Sequence, residues 1–155
     1  AIVQHLYFGC RHRDQDYLFG DELHRLQQCG ALTSLRTAFS RESSSKVYVT
    51  HRLKQDTQLV ASLIRHANAV IYVCGDTRMA KDVEATILEI LSATYDGESD
   101  SSEDEAAPTQ PQPSRRQRAV AELEMLKSKK GISKTYGREV VVCLVINSAI
   151  ADLHL

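Results

Sequence analysis

The stretch Ala69-Val70-Ile71-Tyr72-Val73-Cys74-Gly75-Asp76 reads as a buried strand that stops at a glycine and an acidic helix start. Beyond it, Thr77 to Leu91 carries Met79, Val83, Ile87 and Ile90 at helical spacing, so the two segments form half of a βαβ unit. In open α/β sheets a ligand lies at the carboxyl ends of the strands, which places Cys74, Gly75 and Asp76 at the mouth of any site. Gly75 lets the backbone turn or approach a ligand closely, and Asp76 is suited to cap the helix. The same residues read equally well as a sharp strand-to-helix turn with no ligand.

Outward from this unit the chain alternates. Upstream, Val3 to Gly9 is a short apolar run that ends at Gly9-Cys10-Arg11, a first strand and turn. One helix is expected next, capped by Asp14 or Asp16, with Phe19, Leu23 and Leu26 as its buried stripe, Gly20 as a costly interior residue and Gly30 as a stop. Leu35 to Ser40 reads as a second strand, and the polar run Arg41 to Lys46 as a loop. Val47-Tyr48-Val49 is too short for a secure strand, while Thr57 to Ala67 shows one apolar helix face in Leu59, Val60, Leu63 and Ile64. Strands alternating with helices imply a parallel sheet with helices on both faces.

Downstream the composition changes. Residues 96–118 comprise an acidic run, a proline-punctuated spacer and a basic end, Arg115-Arg116-Gln117-Arg118. None of this composition buries a core, so a disordered insertion is expected. Order returns with a helix from Ala119 to Lys129, striped by Val120, Leu123 and Leu126 and stopped by Gly131, and a last strand from Arg138 to Asn147. The organisation expected is therefore an α/β core over 1–95, the insertion over 96–118, and a last helix and strand with an atypical extension over 119–155.

Bulk properties exclude several classes. The 155 residues, 43% of them hydrophobic, suffice for one domain with a proper core. A net charge of −1 and the lack of a basic patch interleaved with aromatics argue against a nucleic-acid partner. The apolar run from Val140 to Ala151 falls short of a membrane-spanning helix. Cys10, Cys29, Cys74 and Cys143 are too widely spaced for a zinc site or a secreted disulfide framework, so a reducing, cytoplasmic setting is expected. The six histidines show no metal or triad spacing and read as surface or packing residues; no metal is expected. A start at Ala1 without a leader reads as an excised or processed piece.

Four segments, FGCRHRDQDYLF, AFSRESSSKVYV, IYVCGD and MAKDV, stand in one order between Leu6 and about Leu91. In that order and spacing the chain resembles the NADPH-binding domain of the diflavin reductases, a ferredoxin reductase-type NADP-binding module. By this resemblance Ser40, Arg41 and Lys46 match residues that hold the 2′-phosphate of NADPH, with Tyr48 beside them at the adenosine end. The chemistry agrees, because a phosphate dianion calls for a guanidinium fork, an ammonium and a hydroxyl. The resemblance also places Cys74 beside the nicotinamide, with Gly75 and Asp76 just beyond it, and Arg11 near the cofactor phosphates.

Relative to that family, the first strand and the glycine-rich pyrophosphate loop are missing. Since that strand is central, its neighbours would have to meet or leave backbone groups unpaired. Thr50 replaces a family glutamine, and the chain runs past the family's end with VVCLVINSAIADLHL. The resemblance implies the NADPH-binding part of a flavin-dependent oxidoreductase that passes hydride to FAD, with FMN relaying electrons to a haem or cobalamin protein. Partners would be the FAD- and FMN-binding domains of the parent and a redox acceptor protein; this chain holds no membrane segment, although the parent could be anchored on the cytosolic face of a membrane. The piece alone is expected to be inactive. The alternative is a non-catalytic, truncated nucleotide-binding or interaction module.

Overall fold

A computed structural model describes residues 2–67, 69–95, 113–128, 132–135 and 140–147. In chain order these form β1 (Ile2–Cys10), α1 (Arg13–Asp16), α2 (Gly20–Gln28), β2 (Ser34–Phe39), α3 (Val49–Gln55), α4 (Thr57–His66), β3 (Val70–Cys74), α5 (Thr77–Ala93), α6 (Arg115–Ser128), β4 (Ile132–Thr135) and β5 (Val140–Asn147). The strands make one sheet in the order β2-β1-β5-β3-β4. The pairs β1–β2 and β3–β4 are parallel, whereas β5 is antiparallel to both β1 and β3. Four strands therefore share one direction, as the alternating pattern predicts, and the fifth runs back between them.

The centre of the sheet corrects the expectation of two strands meeting or standing unpaired. β5 takes the position between β1 and β3, pairing Tyr7 with Val142 on one side and Val73 with Val142 on the other. Its direction follows from chain length. β4 is parallel to β3, and only four residues, 136–139, separate Thr135 from Val140. A parallel return needs a crossover of a dozen residues or more, so the next strand runs back.

Helices cover both faces. Tyr7 and Phe8 are neighbours in β1, point to opposite sides and are both buried. On one side Phe8 meets Tyr17, between α1 and α2, edge-on at 5.1 Å, and Tyr17 meets Phe39 at 5.5 Å. On the other, Tyr7, Ile71 and Val73 join one core with Leu53 of α3, Val60 of α4 and Val83, Ile87 and Leu91 of α5. The α5 stripe matches its sequence spacing. In α4, Val60, Leu63 and Ile64 are buried, while Leu59 turns outward.

Several local expectations change. The helix expected after Arg11 is two helices, because Phe19 has a left-handed φ of 61° and breaks it. Phe19 and Leu26 are exposed, and α2 buries none of its residues; the aromatic body of Tyr17 makes the contact instead. Gly20 opens α2 rather than interrupting it, and a Cβ there would stand 2.8 Å from the Tyr17 ring. Gly30 does end the segment, with φ 77°. Val47-Tyr48-Val49 leads into α3, and β4 arises where no strand was expected.

The basic end of the insertion is the first turn of α6. Ser114 Oγ accepts the Gln117 N–H at 3.2 Å and Gln117 Oε1 accepts the Ser114 N–H at 2.7 Å, a reciprocal capping box. In α6 the buried residues are Ala119 and Leu123, with Leu126 half-buried, while Val120 is exposed. Residues 96–112 and Gly131 lie outside the described residues.

Candidate functional site at the carboxyl edge of the sheet

β1, β2 and β3 run in the same direction, and the register sets their ends level. Cys10 pairs with Phe39, Gly9 with both Ala38 and Val140, and Cys74 with Val141. The carboxyl ends of all three strands therefore share one edge, where α/β sheets bind ligands.

On the β1–β2 side the ladder continues past the strands. Ser40 N–H donates to Cys10 O and Arg41 N–H to Arg11 O, each at 3.0 Å. Arg11 and Arg41 thus leave the sheet side by side. Ser40 Oγ lies 3.4 Å from Cys10 O. Arg11 is half committed: one amino group pairs with Asp16 Oδ1 at 3.2 Å, and the side chain stays 60% exposed. Asp16 Oδ2 also accepts the His12 N–H at 3.1 Å, which shapes the turn after β1.

Arg41 and Lys46 are both exposed. Among the described residues neither side chain has a hydrogen bond or ion pair, although cations nearby do: Arg36 grips Asp56 through two bonds of 2.9 and 3.2 Å, Arg52 donates to Thr37 O and Gln55, Lys54 pairs with Glu89, and Arg13 lies over the Phe39 ring at 4.4 Å. Tyr48 directly precedes α3. That helix is held to the end of β2 by Arg52 Nε donating to Thr37 O at 2.9 Å, and by the buried Val49 and Leu53. The loop from Ser40 to Tyr48 therefore starts and finishes against the same strand.

On the β3 side, Cys74 is half-buried at the strand end and Gly75 is buried with φ 154°, a conformation that side-chain-bearing residues rarely adopt. Asp76 Oδ1 accepts the N–H groups of Arg78 and Met79 at 2.8 and 2.9 Å, capping α5. The Met79 bond is the leading cause that holds this carboxyl below its ordinary range, so Asp76 is an anion at neutral pH. Met79 itself is half-buried.

The eight residues thus form two groups. Arg11, Ser40, Arg41, Lys46 and Tyr48 belong to the β1–β2 side, and Cys74, Gly75 and Asp76 to β3. Two strand spacings, about 10 Å, separate β1 from β3 with β5 between them. An open groove of about 640 Å³ on the α1–α2 side, bordered by Arg13, Tyr17, His24 and Arg25, touches none of the eight.

One neighbour of the candidate site is missed by spacing alone. His51, read as a packing residue, accepts the backbone N–H of Tyr48 through Nδ1 at 3.0 Å and stacks on its ring. The only sequence signal is its position three residues after Tyr48, where a side chain can reach back to a helix start.

Parallel strands that end level at one edge, with helices on both faces, define an α/β class of protein whose ligands lie at that edge. Residues 3–85 match the family model of the oxidoreductase NAD-binding domain, and the chain belongs to that family. It is 53% identical over 88 residues to the NADPH–cytochrome P450 reductase of Rattus norvegicus, and equally so to that of Homo sapiens. It is 46% identical to the Musca domestica enzyme of that name. Each match covers 56% of this chain and 13% of the relative, so the chain spans a small part of the proteins it resembles. No helix among the described residues is long and apolar enough to cross a membrane.

Proposed function

We propose that the chain is the NADPH-binding part of an FAD- and FMN-dependent oxidoreductase, acting with a parent's flavin domains and a haem or cobalamin acceptor protein in a cytoplasmic setting. The observation that carries the reading is the pair of exposed cations, Arg41 and Lys46, without partners among the described residues, on the loop that leaves the carboxyl end of β2 at Ser40. They fit a phosphate dianion on adenosine: a guanidinium fork, an ammonium and a hydroxyl on one loop. Arg11, beside Arg41, contributes its remaining N–H donors to the same charge.

When bound, NADPH supplies the hydride that the flavin accepts. The chain's own residues bind and orient. Cys74 offers a small, polarizable thiol at the strand end, and Gly75 keeps that end free of a side chain. Asp76 acts as a positioning residue, since its carboxylate holds the start of α5 and with it the turn that presents Cys74. FAD and FMN belong mainly to segments outside this chain.

A second reading has one observation of its own. β5 fills the place between β1 and β3, so the sheet pairs without a strand from elsewhere, which suits a self-contained binding module without turnover. Calorimetric titration of the chain with 2′,5′-ADP and with 5′-AMP, at low salt to limit screening, tests nucleotide binding for both. Clear preference for 2′,5′-ADP supports the 2′-phosphate site; equal or absent binding by the folded chain overturns it.

A further inference from the structure

We infer that His51 is a positioning residue for Tyr48, and that through Tyr48 it sharpens selection of the phosphorylated adenosine. The inference rests on the proposed placing of Tyr48 at the 2′-phosphate end. Tyr48 is a surface residue, 36% exposed, at the end of the loop that carries Arg41 and Lys46. A tyrosine in that position with no neighbour would sample several rotamers and would have to be ordered by the ligand.

His51 removes that freedom in two ways. Its Nδ1 accepts the Tyr48 backbone N–H at 3.0 Å, which adds to the bond that the His51 backbone N–H donates to Tyr48 O at 3.0 Å, so the backbone of Tyr48 is held at both ends. Accepting through Nδ1 leaves the ring proton on Nε2. The two rings then stack, with centroids 5.8 Å apart and planes inclined by 23°. Stacking at that separation is an attractive arrangement, and it fixes one face of the phenol. The platform is firm, because α3 is anchored by buried Val49 and Leu53 and by the Arg52 bond to Thr37 O. His51 therefore couples the phenol to the strand that delivers Ser40 and Arg41.

The two contacts separate by substitution. His51→Gln keeps a side-chain acceptor suited to the helix start but has no ring; His51→Phe keeps a ring but no acceptor. The full chain and both variants are titrated with 2′,5′-ADP and 5′-AMP, with urea unfolding measured in parallel. His51→Gln is expected to unfold near the parent's midpoint yet to bind 2′,5′-ADP about threefold to tenfold more weakly, with 5′-AMP little changed. His51→Phe is expected to lower the unfolding midpoint and retain most of the 2′,5′-ADP affinity. In a Tyr48→Phe background, where no hydroxyl is left to position, His51→Gln is expected to have no further effect on 2′,5′-ADP.

If the unsubstituted chain shows no preference for 2′,5′-ADP, the 2′-phosphate reading fails, and the role of His51 with it. If the chain shows the preference and His51→Gln retains it, only the role of His51 is overturned. Equal weakening by His51→Gln with and without the Tyr48 hydroxyl would likewise overturn it, since the effect would then not pass through Tyr48.

Discussion

Arg41 and Lys46 stand out among the cations around β2 and α3 because carboxylates, carbonyls or aromatic rings hold Arg36, Arg52, Lys54 and Arg13. A charge that is exposed and has no partner among the described residues, beside others that do, is available to an external anion. Arg41→Ala should remove a charge-assisted hydrogen bond worth about 1.5–3 kcal/mol, or about tenfold to hundredfold in affinity for 2′,5′-ADP. Its effect on 5′-AMP should be small, and equal losses in the two calorimetric titrations would place Arg41 elsewhere. At this scale the sequence was informative about residue type but silent about pairing. Arg36 and Arg41 are the same residue type five positions apart, and only the approach of Asp56, between α3 and α4, shows which one is already engaged.

Among the elements, α5 was the most legible, since its cap and apolar period agree. Asp76 accepts two backbone N–H groups at one end, and Val83, Ile87, Ile90 and Leu91 bury its face. At the other end Arg65 of α4 donates to Leu91 O at 2.7 Å and to Thr94 O at 2.9 Å, lies over the Tyr95 ring and pairs with Glu122 of α6. Asp76→Ala should lower the urea unfolding midpoint, whereas Asp76→Asn, which still accepts, should unfold close to the parent's midpoint. If Asp76→Asn is as damaging as Asp76→Ala, the charge rather than the cap is what matters.

The elements read wrongly failed for physical reasons. The stripe Phe19-Leu23-Leu26 has helical spacing, but the left-handed turn at Phe19 rotates it out of phase, and periodicity cannot register one dihedral. α3 is seven residues long, too short for its period to show, and its stability comes from packing Val49 and Leu53 into the core. The start of α6 was hidden by basic composition, although Ser114 and Gln117 carry a recognisable capping signal.

At the scale of the molecule, the face of the sheet that carries Tyr7 also carries a polar cluster, since His5 and Tyr7 alternate with Phe8 and stand opposite Ser34 and Arg36. Tyr7 of β1 donates to Asp56 Oδ2 at 3.0 Å, Arg36 of β2 grips both oxygens of Asp56, and the buried His5 shares a 2.7 Å hydrogen bond with Ser34 Oγ. Burial is the largest influence on His5 and lowers its pKa below 6.5, despite the opposing charge of Asp56. Burial alone would raise Asp56, but the bonds from Arg36 and Tyr7 outweigh it and hold the carboxyl below 3.8.

Both folded pKa values are depressed, so the unfolded chain binds more protons as pH falls. The His5 contribution is therefore present above pH 6.5 and lost on acidification from there towards its lowered value; the Asp56 contribution is present above pH 3.8 and lost below it. Urea unfolding between pH 8 and pH 3 should show the first decline, and His5→Gln should flatten it. An unchanged slope in that variant would assign the decline to other groups.

Sequence by itself determined the α/β class, the three strands read as Val3 to Gly9, Leu35 to Ser40 and Ala69 to Cys74, whose ends fall within a residue of the observed Cys10, Phe39 and Cys74, and the residue types that follow them, because burial and helix-starting chemistry are written locally as periods, glycines and caps. What lies between β1 and β3 was decided only in the tertiary structure. β5 reads as a buried strand in any position, and nothing local distinguishes an edge from a centre or parallel from antiparallel. Its place follows from hydrogen bonding across the sheet: β1 and β3 both present backbone groups that need partners, and a strand entering four residues after β4 satisfies both only by running back between them.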